Sequence, residues 1–225
     1  MPSFEKTPLN KVRRVAERGE YDRNEVYEIV DDALLCHVGF VADDQPFVIP
    51  TIHARDGDSI LLHGAKASRL LKHVAAGHPV CITCTHLDGL VLARSVFHHS
   101  MNYRSAVLFG RGRIIDDLEE KMSAFKILTD HIMPGRWSEA RHPNPKEINA
   151  TTMVRVSIES ASAKKRTGPV SDDEEDYALP VWAGILPIER RFSDPQDDSR
   201  LIDGTAVPGY VRSYHRDVQS GDVSG

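Results

Sequence analysis

The sequence predicts a mainly β protein: a small antiparallel β-barrel with accessory α-helices. Three observations support this fold class. Segments with strand character outnumber those with helical periodicity. Short turns at Asp43-Asp44-Gln45 and Asp56-Gly57 join neighbouring segments, so most neighbours must be antiparallel. Both faces of the hairpin over residues 47–63 are largely apolar, which suits a closed barrel with one face inside and the other covered by a helix or a second subunit.

Seven strands are predicted from apolar and β-branched runs that end at turn residues. They cover residues 34–41, 47–53, 59–63, 80–87, 103–115, 153–163 and 181–188. If Asp56-Gly57 is a two-residue loop, Pro50 lies opposite His63 and Thr51 lies opposite Leu62. Because Pro50 has no backbone N–H, we expect a bulge or a strand edge at this position.

Three helices are predicted from apolar residues that recur every three or four positions. The first covers residues 24–30, and Asp22 or Asn24 is its N-cap. The second follows the third strand and ends before Gly77, a residue suited to the left-handed conformation after a helix. The third begins after Asp117, which opens a capping-box sequence.

Length and charge limit the function classes. The 225 residues are 40% hydrophobic, enough for one domain with its own core. The net charge of −5 gives no general attraction to nucleic acids or anionic membranes, and no apolar run is long enough to cross a bilayer. We therefore expect neither as a partner and expect a cytoplasmic protein. The expected organisation is a flexible lead-in over residues 1–21, a barrel domain over 22–188, and an extended arm with a disordered tip over 189–225.

The three cysteines are too few for a disulfide framework. Cys81 and Cys84 match a C-x-x-C pattern, but they lie within a predicted strand. Residues three apart on a strand point to opposite faces of the sheet. We therefore expect neither a disulfide nor a shared metal ion at this pair.

The stretch from His63 to Arg69 joins a predicted strand to a predicted helix and suits a phosphate group. The first N–H groups of a helix lack backbone partners and lie at the positive end of its dipole. Lys66 and Arg69 add positive charge, and Ser68 adds a hydroxyl donor. The alternative is an ordinary exposed helix start with surface cations.

Four segments bear on this choice when they are read together. They cover residues 47–51, 63–69, 87–105 and 180–184. The third contains the run His98-His99-Ser100-Met101-Asn102-Tyr103, which is rarely met elsewhere. Together these segments resemble the flavin-binding split-barrel superfamily of pyridoxamine 5′-phosphate oxidase, and within it the nitroimidazole-resistance-protein branch. The resemblance extends over residues 23–188 and implies an antiparallel FMN-binding split barrel.

The resemblance implies that FMN is held at the interface of a homodimer. It implies that Pro50 and Thr51 line the edge of the isoalloxazine ring, and that the cations of the phosphate turn contact the ribityl phosphate. Tyr103 and Trp182 are expected to approach from the partner subunit, although packing within the core is the alternative role for such aromatics. The candidate cofactor-binding residues are Pro50, Thr51, His63, Gly64, Lys66, Ser68, Arg69, Tyr103 and Trp182.

The sequence departs from the resemblance at one place. Pyridoxamine 5′-phosphate oxidases proper follow their late Trp-x-Gly with an Arg-Leu-His that holds the substrate phosphate. Here Trp182-Ala183-Gly184 is followed by Ile185-Leu186-Pro187. Because no cation replaces the arginine, oxidation of vitamin B6 phosphates is not expected.

Four histidines raise the alternative of a metal or haem site. His98 and His99 are adjacent and point apart in an extended chain, and the hairpin places His53 and His63 on opposite faces. No two of them share a metal-ligand geometry, so no metal site is predicted. We expect His63 to hydrogen-bond the flavin or to close its pocket, with proton donation as a further alternative.

These observations favour an FMN-dependent oxidoreductase in which bound flavin reduces a small aromatic or nitro-bearing acceptor. The sequence identifies no catalytic residue. The alternative is a split barrel that carries flavin or haem without turnover, because both functions need the same pocket.

Overall fold

The computed structural model describes residues 2–216. Within these residues the strands are β1 (Gly19–Glu20), β2 (Leu35–Ala42), β3 (Gln45–Asp56), β4 (Ser59–Ala65), β5 (Pro79–Leu92), β6 (Ser100–Ile114), β7 (Thr151–Ser157), β8 (Ser160–Arg166) and β9 (Gly184–Pro187). The α-helices are α1 (Arg23–Asp32), α2 (Arg69–Ala75), α3 (Leu118–Ile132), α4 (Arg136–Glu139), α5 (Pro145–Ala150) and α6 (Gly209–Arg212). Short 3₁₀ turns cover Ala16–Arg18, Val96–His98 and Glu174–Ala178. The predicted mainly β class is confirmed.

Six strands form a closed antiparallel barrel. They pair in the order β6-β7-β4-β3-β2-β5, and β5 pairs with β6 to close the ring. The β5–β6 pair runs from Pro79 opposite Arg111 to Val91 opposite Ser100. β8 extends the sheet from β6, β1 extends it from β8, and β9 pairs with β5. Closure leaves few unpaired strand edges.

The two apolar faces predicted for the β3–β4 hairpin pack into two different cores. Ile60 and Leu62 are fully buried in the barrel interior. Leu61 and Ala54 point the other way and pack with Leu128 of α3. One face of the hairpin therefore fills the barrel. Helix α3 covers the other face near the turn, and Val48 on that face stays exposed.

The residues predicted to begin and end helices do so. Asp22 is the N-cap of α1, and its carboxylate accepts the N–H of Asn24 at 2.9 Å. Asp117 is the N-cap of α3 and accepts the N–H of Glu120 at 2.8 Å. Gly77 follows α2 with a φ of +75°, which glycine adopts without strain. These local side-chain bonds satisfy donors that the helices leave unpaired.

The predicted register of the β3–β4 hairpin is wrong by two residues. His53, not Thr51, lies opposite Leu62, so the loop is Gly57-Asp58. Gly57 has a φ of +57° and occupies the first loop position, where a type II′ turn takes glycine. Because the shift is two residues, every side chain keeps its predicted face.

The single strand predicted over residues 153–163 is two strands. β7 ends at Ser157 and β8 begins at Ser160. Between them the N–H of Ile158 donates to the carbonyl of Asp58 at 2.9 Å. The chain changes neighbours here, since β7 pairs with β4 and β8 pairs with β1. The apolar pattern continues through the break, so the sequence does not show it.

The segment predicted as a flexible lead-in is packed on the barrel. Phe4 and Tyr21 are buried, and the amide of Asn10 donates to the carbonyl of Ala161 on β8 at 3.0 Å. At the other end, residues 189–206 are exposed. The tip predicted to be disordered, residues 217–225, lies outside the described residues. The domain boundaries stay predictions.

Candidate functional site

The barrel is split at the end that carries the predicted cofactor residues. The pairing of β3 with β4 extends only to His53 opposite Leu62. Beyond that rung β3 pairs with β2 alone, so Pro50 lies opposite His37 and not, as predicted, opposite His63. The strand edge expected at Pro50 is confirmed. Pro50 pairs with β2 on one side, and on the other side it has no partner strand among the described residues.

The gap between β3 and β4 brings four predicted residues to its two sides. Pro50 and Thr51 lie on the β3 side, and His63 and Gly64 lie on the β4 side. Pro50 is exposed, and half-buried Thr51 donates its hydroxyl to the carbonyl of Ile52 at 3.3 Å. Side chains and backbone at this gap are therefore accessible to a ligand.

The turn from β4 to α2 places three polar side chains beside the gap. Ser68 is the N-cap of α2 and accepts the N–H of Leu71 at 3.4 Å, which leaves its hydroxyl proton for a ligand. Lys66 and Arg69 are exposed, and neither forms an ion pair within residues 2–216. The Arg69 guanidinium lies 4.3 Å from the ring centre of Phe47 on β3, so it spans the gap.

The helix contributes less to this turn than the sequence predicts. α2 has seven residues, about two turns, and so it offers a short dipole. Its N-cap serine already satisfies one of the free N–H groups. Affinity for a phosphate here must come mainly from the side chains.

Lys121 of α3 is a further cation beside the turn, and no motif in the sequence predicts its position there. Its Nζ donates to the carbonyl of Thr151 at 2.6 Å, and Thr151 pairs with Ala65 at the end of β4. Burial, and then the nearby charge of Lys66, lower the pKa of Lys121, whereas Asp116 raises it. The pairing of β4 with β7 brings the two lysines together. An anion between them would relieve their repulsion.

His63 has the properties of a ligand-binding imidazole. Its ring is half-buried, and its Nδ1 is buried without a hydrogen-bond partner in the described part of the chain. Burial lowers the pKa of His63, so the ring is neutral at pH 7. A buried nitrogen without a partner is costly. The other ring nitrogen, Nε2, has no hydrogen bond among the described residues and is open to a cofactor. At Gly64 a side chain would approach Leu71 Cδ1 to 3.2 Å, so close packing of α2 favours glycine.

Tyr103 and Trp182 lie away from the phosphate turn within one chain. Tyr103 is on β6, opposite Leu87 of β5. Trp182 precedes β9 and is 68% exposed, with its ring packed over Gly184. In the sheet, β3, β2 and β5 separate β9 from β4. One chain therefore does not bring Trp182 to the turn.

The outer face of the barrel beside the gap carries exposed apolar side chains. Its large exposed side chains on β2, β3 and β5 are Leu35 (52%), Val41 (58%), Val48 (67%) and Leu87 (42%). We call these four residues the outer patch. Two surface cavities, of about 290 and 670 Å³, share no residue with the gap or the outer patch. Neither of these two cavities is the candidate site.

All three cysteines are free thiols. Cys84 faces the barrel interior and is fully buried, whereas Cys81 is half-buried on the other face. Burial raises the pKa of both thiols and keeps them protonated.

Comparisons with known proteins agree with this geometry. The sequence profile described as pyridoxamine 5′-phosphate oxidase matches residues 22–165. The structure of the flavocytochrome Anf3 from Azotobacter vinelandii is 38% identical, with a TM-score of 0.88 over 94% of this chain and 98% of that one. The FAD- and haem-binding protein from Mycobacterium smegmatis is 34% identical, with a TM-score of 0.83 over 87% and 96%.

A putative 5-nitroimidazole antibiotic resistance protein from Bacteroides thetaiotaomicron shares the fold. It is 23% identical, with a TM-score of 0.53 over 64% of this chain and 83% of that one. A comparison with curated proteins gave no match. No helix within residues 2–216 is long and apolar enough to span a membrane. The profile match and the two full-length likenesses together show that this chain belongs to the pyridoxamine 5′-phosphate oxidase-like family of flavin-binding split barrels.

Proposed function

We propose that this protein is a homodimer that binds a flavin nucleotide and haem and transfers electrons between them. The observation that carries the proposal is His63, a neutral imidazole with an unpartnered buried nitrogen in the gap beside the cationic turn. The full-length likeness to a flavocytochrome and to an FAD- and haem-binding protein supports the choice of cofactors. The cofactors supply the redox chemistry, and the protein binds and orients them.

The flavin phosphate is assigned to the turn between β4 and α2. Lys66 and Arg69 have no acidic partner there, and Lys121 adds a third positive charge close by. The chemistry of these groups suits the phosphate that FMN and FAD share. FMN is the flavin expected from the sequence, and the Mycobacterium protein binds FAD. Release of the flavin from the purified protein, followed by chromatography, decides between them.

His63 fits the requirement for a haem ligand. A neutral imidazole with a free nitrogen is the usual protein ligand of haem iron. Most other histidines in residues 2–216 have ring nitrogens bonded to carbonyls or carboxylates, for example His86 and His131. His53 has a free Nδ1, but it is sealed in the core. In the same part of the chain His37 and His78 also lack a ring hydrogen bond, but both are exposed. We therefore assign the iron to half-buried His63.

A second copy of the chain would complete the flavin site. The outer patch is apolar and lies beside the gap, so burying it is favourable. A twofold interface on this patch would let Tyr103 and Trp182 of the other copy approach the flavin, which one chain cannot do. Exposed Trp182 gains a stacking partner in that arrangement.

The test is the visible spectrum of the purified protein and of two histidine variants. We expect both a flavin spectrum and a haem Soret band. His63→Ala removes the Soret band, and His78→Ala, which changes an exposed histidine of the loop before β5, leaves it in place. A wild-type protein that takes up neither cofactor, or a His63→Ala protein with an unchanged Soret band, would contradict the proposal.

A second candidate function is the flavin-dependent reduction of a small aromatic or nitro-bearing acceptor. Exposed Trp182, together with exposed Val181 and half-buried Ile185, forms an apolar surface that suits flat, weakly charged molecules. Reoxidation of the reduced protein by a quinone or a nitroaromatic compound tests this function.

A further inference from the structure

His98, Asp173 and Asp176 form a cluster that neither the flavin nor the haem site uses. One nitrogen of His98 and one oxygen of each aspartate all lie within 4.8 Å of one another. Nε2 of His98 lies 3.1 Å from Oδ2 of Asp173. The histidine and the aspartates are about 75 residues apart in sequence, so only the fold brings them together.

A buried carboxylate next to the cluster joins the two segments that carry it. The Asp172 side chain is completely buried and accepts the backbone N–H groups of Arg94 at 3.0 Å and Ser95 at 3.2 Å. The guanidinium of Arg94 donates to the same carboxylate at 3.2 Å. The Asp172 carboxylate thereby holds the start of the turn Val96–His98 against the start of the turn Glu174–Ala178.

The two 3₁₀ turns then fix the positions of the clustered side chains. Ser95 caps the turn Val96–His98, whose last residue is His98. Asp173 precedes the turn Glu174–Ala178, which contains Asp176. The backbone therefore presents an imidazole from one side and two carboxylates from the other.

The charges around the cluster favour a cation. The run from Asp172 to Asp176 carries five acidic residues. Arg94 pairs with the first of them and His98 with the second. Within residues 2–216 the other three, which include Asp176, form no ion pair. A bound cation would reduce the repulsion among these carboxylates.

We propose that His98, Asp173 and Asp176 bind a divalent transition-metal ion of the Zn²⁺ or Co²⁺ type. Imidazole nitrogen with carboxylate oxygen suits these ions, whereas Ca²⁺ and Mg²⁺ prefer oxygen ligands alone. Around a tetrahedral ion with bonds of about 2.1 Å, ligand atoms are about 3.4 Å apart. Small rotations of accessible side chains bring the cluster to that spacing. Three protein ligands leave room for water.

The ion would act on the segment that leads to Trp182. It would tie the turn Glu174–Ala178 to the turn Val96–His98, and Trp182 follows Asp176 by six residues. The metal site is thus assigned a structural role in holding this arm. It does not depend on the cofactors proposed for the gap.

Calorimetric titration with ZnCl₂ tests the site in the full-length protein after dialysis against a chelator. We expect one Zn²⁺ per chain. His98→Ala and Asp173→Asn should each weaken the affinity at least tenfold, because each removes one of three ligands. His99→Ala is the matched control. It changes the adjacent histidine, whose Nδ1 donates instead to the carbonyl of Ser95 at 3.0 Å. It should keep the wild-type affinity.

The other outcomes overturn the proposal. No binding by the wild type excludes the site. Equal affinity in the wild type, His98→Ala and Asp173→Asn places any bound zinc elsewhere. An equal loss of zinc affinity in His99→Ala and His98→Ala would show that the effect is not specific to His98. Flavin and haem spectra recorded on the same samples separate these results from failure of the cofactor proposal.

Discussion

His53 donates its Nε2 hydrogen to the backbone carbonyl of Val30, at 3.1 Å inside the protein. Val30 lies in the last turn of α1, and its carbonyl also accepts the N–H of Ala33, the residue after the helix, at 3.2 Å. His86 and His131 donate to two other carbonyls of the same helix end, at 3.0 and 2.8 Å. Three histidines from β3, β5 and α3 therefore satisfy the end of α1 and fix it on the barrel.

This arrangement makes stability depend on pH. Burial, and then the nearby His131, lower the pKa of His53 to about 4, so the folded protein holds a neutral ring. The unfolded chain binds a proton with a pKa of about 6.5. The contribution of His53 to the free energy of unfolding is therefore fully present above about pH 6.5. It falls as the pH drops toward 4. From this group we expect a loss of about 2 kcal/mol at pH 5, measured by urea denaturation.

The variant His53→Gln tests the origin of the pH effect. Glutamine keeps an N–H donor but does not titrate, so the stability loss between pH 7 and pH 5 should shrink. Exposed His78 provides the control, and His78→Gln should keep the wild-type pH dependence. An unchanged pH dependence in His53→Gln would show that other groups cause the loss.

Flavin affinity should depend on the cations of the β4–α2 turn. Lys66→Ala and Arg69→Ala each remove a charge-assisted contact worth about 1.5–3 kcal/mol, which is roughly ten- to a hundredfold in Kd. Fluorescence titration with FMN measures the change. Riboflavin lacks the phosphate, so it should bind the wild type less tightly and be almost indifferent to these changes. Equal losses for both ligands would contradict the phosphate assignment.

Lys121→Ala should weaken FMN binding in the same direction. The reason is its position beside Lys66, together with its bond to the carbonyl of Thr151. Lys126→Ala is the matched control on the same helix, because Lys126 pairs with Asp130 and not with the turn. If both variants bind FMN like the wild type, Lys121 does not contact the ligand.

The outer patch should mediate dimerisation. Light scattering should give twice the 25.1 kDa mass of the chain. Val48→Asp places a charge in the apolar patch and should yield a monomer with weaker flavin binding. Leu9→Asp, which changes an exposed residue of the N-terminal segment, should stay dimeric. A wild-type monomer that binds flavin tightly would rule out a shared site.

Pyridoxamine 5′-phosphate should be a poor substrate. Gly184 is followed by Ile185 and Leu186 on β9, so no cation is present there to hold the substrate phosphate. The next cations along the chain are already paired, Arg190 with Asp32 and Arg191 with Glu189. Loss of a phosphate contact costs several tenfold steps in specificity. Rapid reduction of the bound flavin by this compound in stopped flow would prove the prediction wrong.

Features that depend on residues close together in the chain could be predicted from the sequence alone. Alternation of apolar side chains indicated the strands and the two faces of the β3–β4 hairpin. Both faces pack into cores near the hairpin turn, whereas Val48, farther along β3, is exposed. Asp22 and Asp117 marked helix starts through bonds to residues two or three positions away. The motif around Lys66 and the segments near Trp182 indicated the family. These signals are local, so they can be recognised without knowledge of the fold.

Which distant segments lie next to one another is visible only in the tertiary structure. The separation of β3 from β4 defines the gap, and the β4–β7 pairing brings Lys121 to Lys66. The same is true of His53 at the end of α1 and of His98 beside Asp173. Each contact joins residues that are far apart in the chain. Local periodicity carries no information about such pairs, because strand order and packing set their distances.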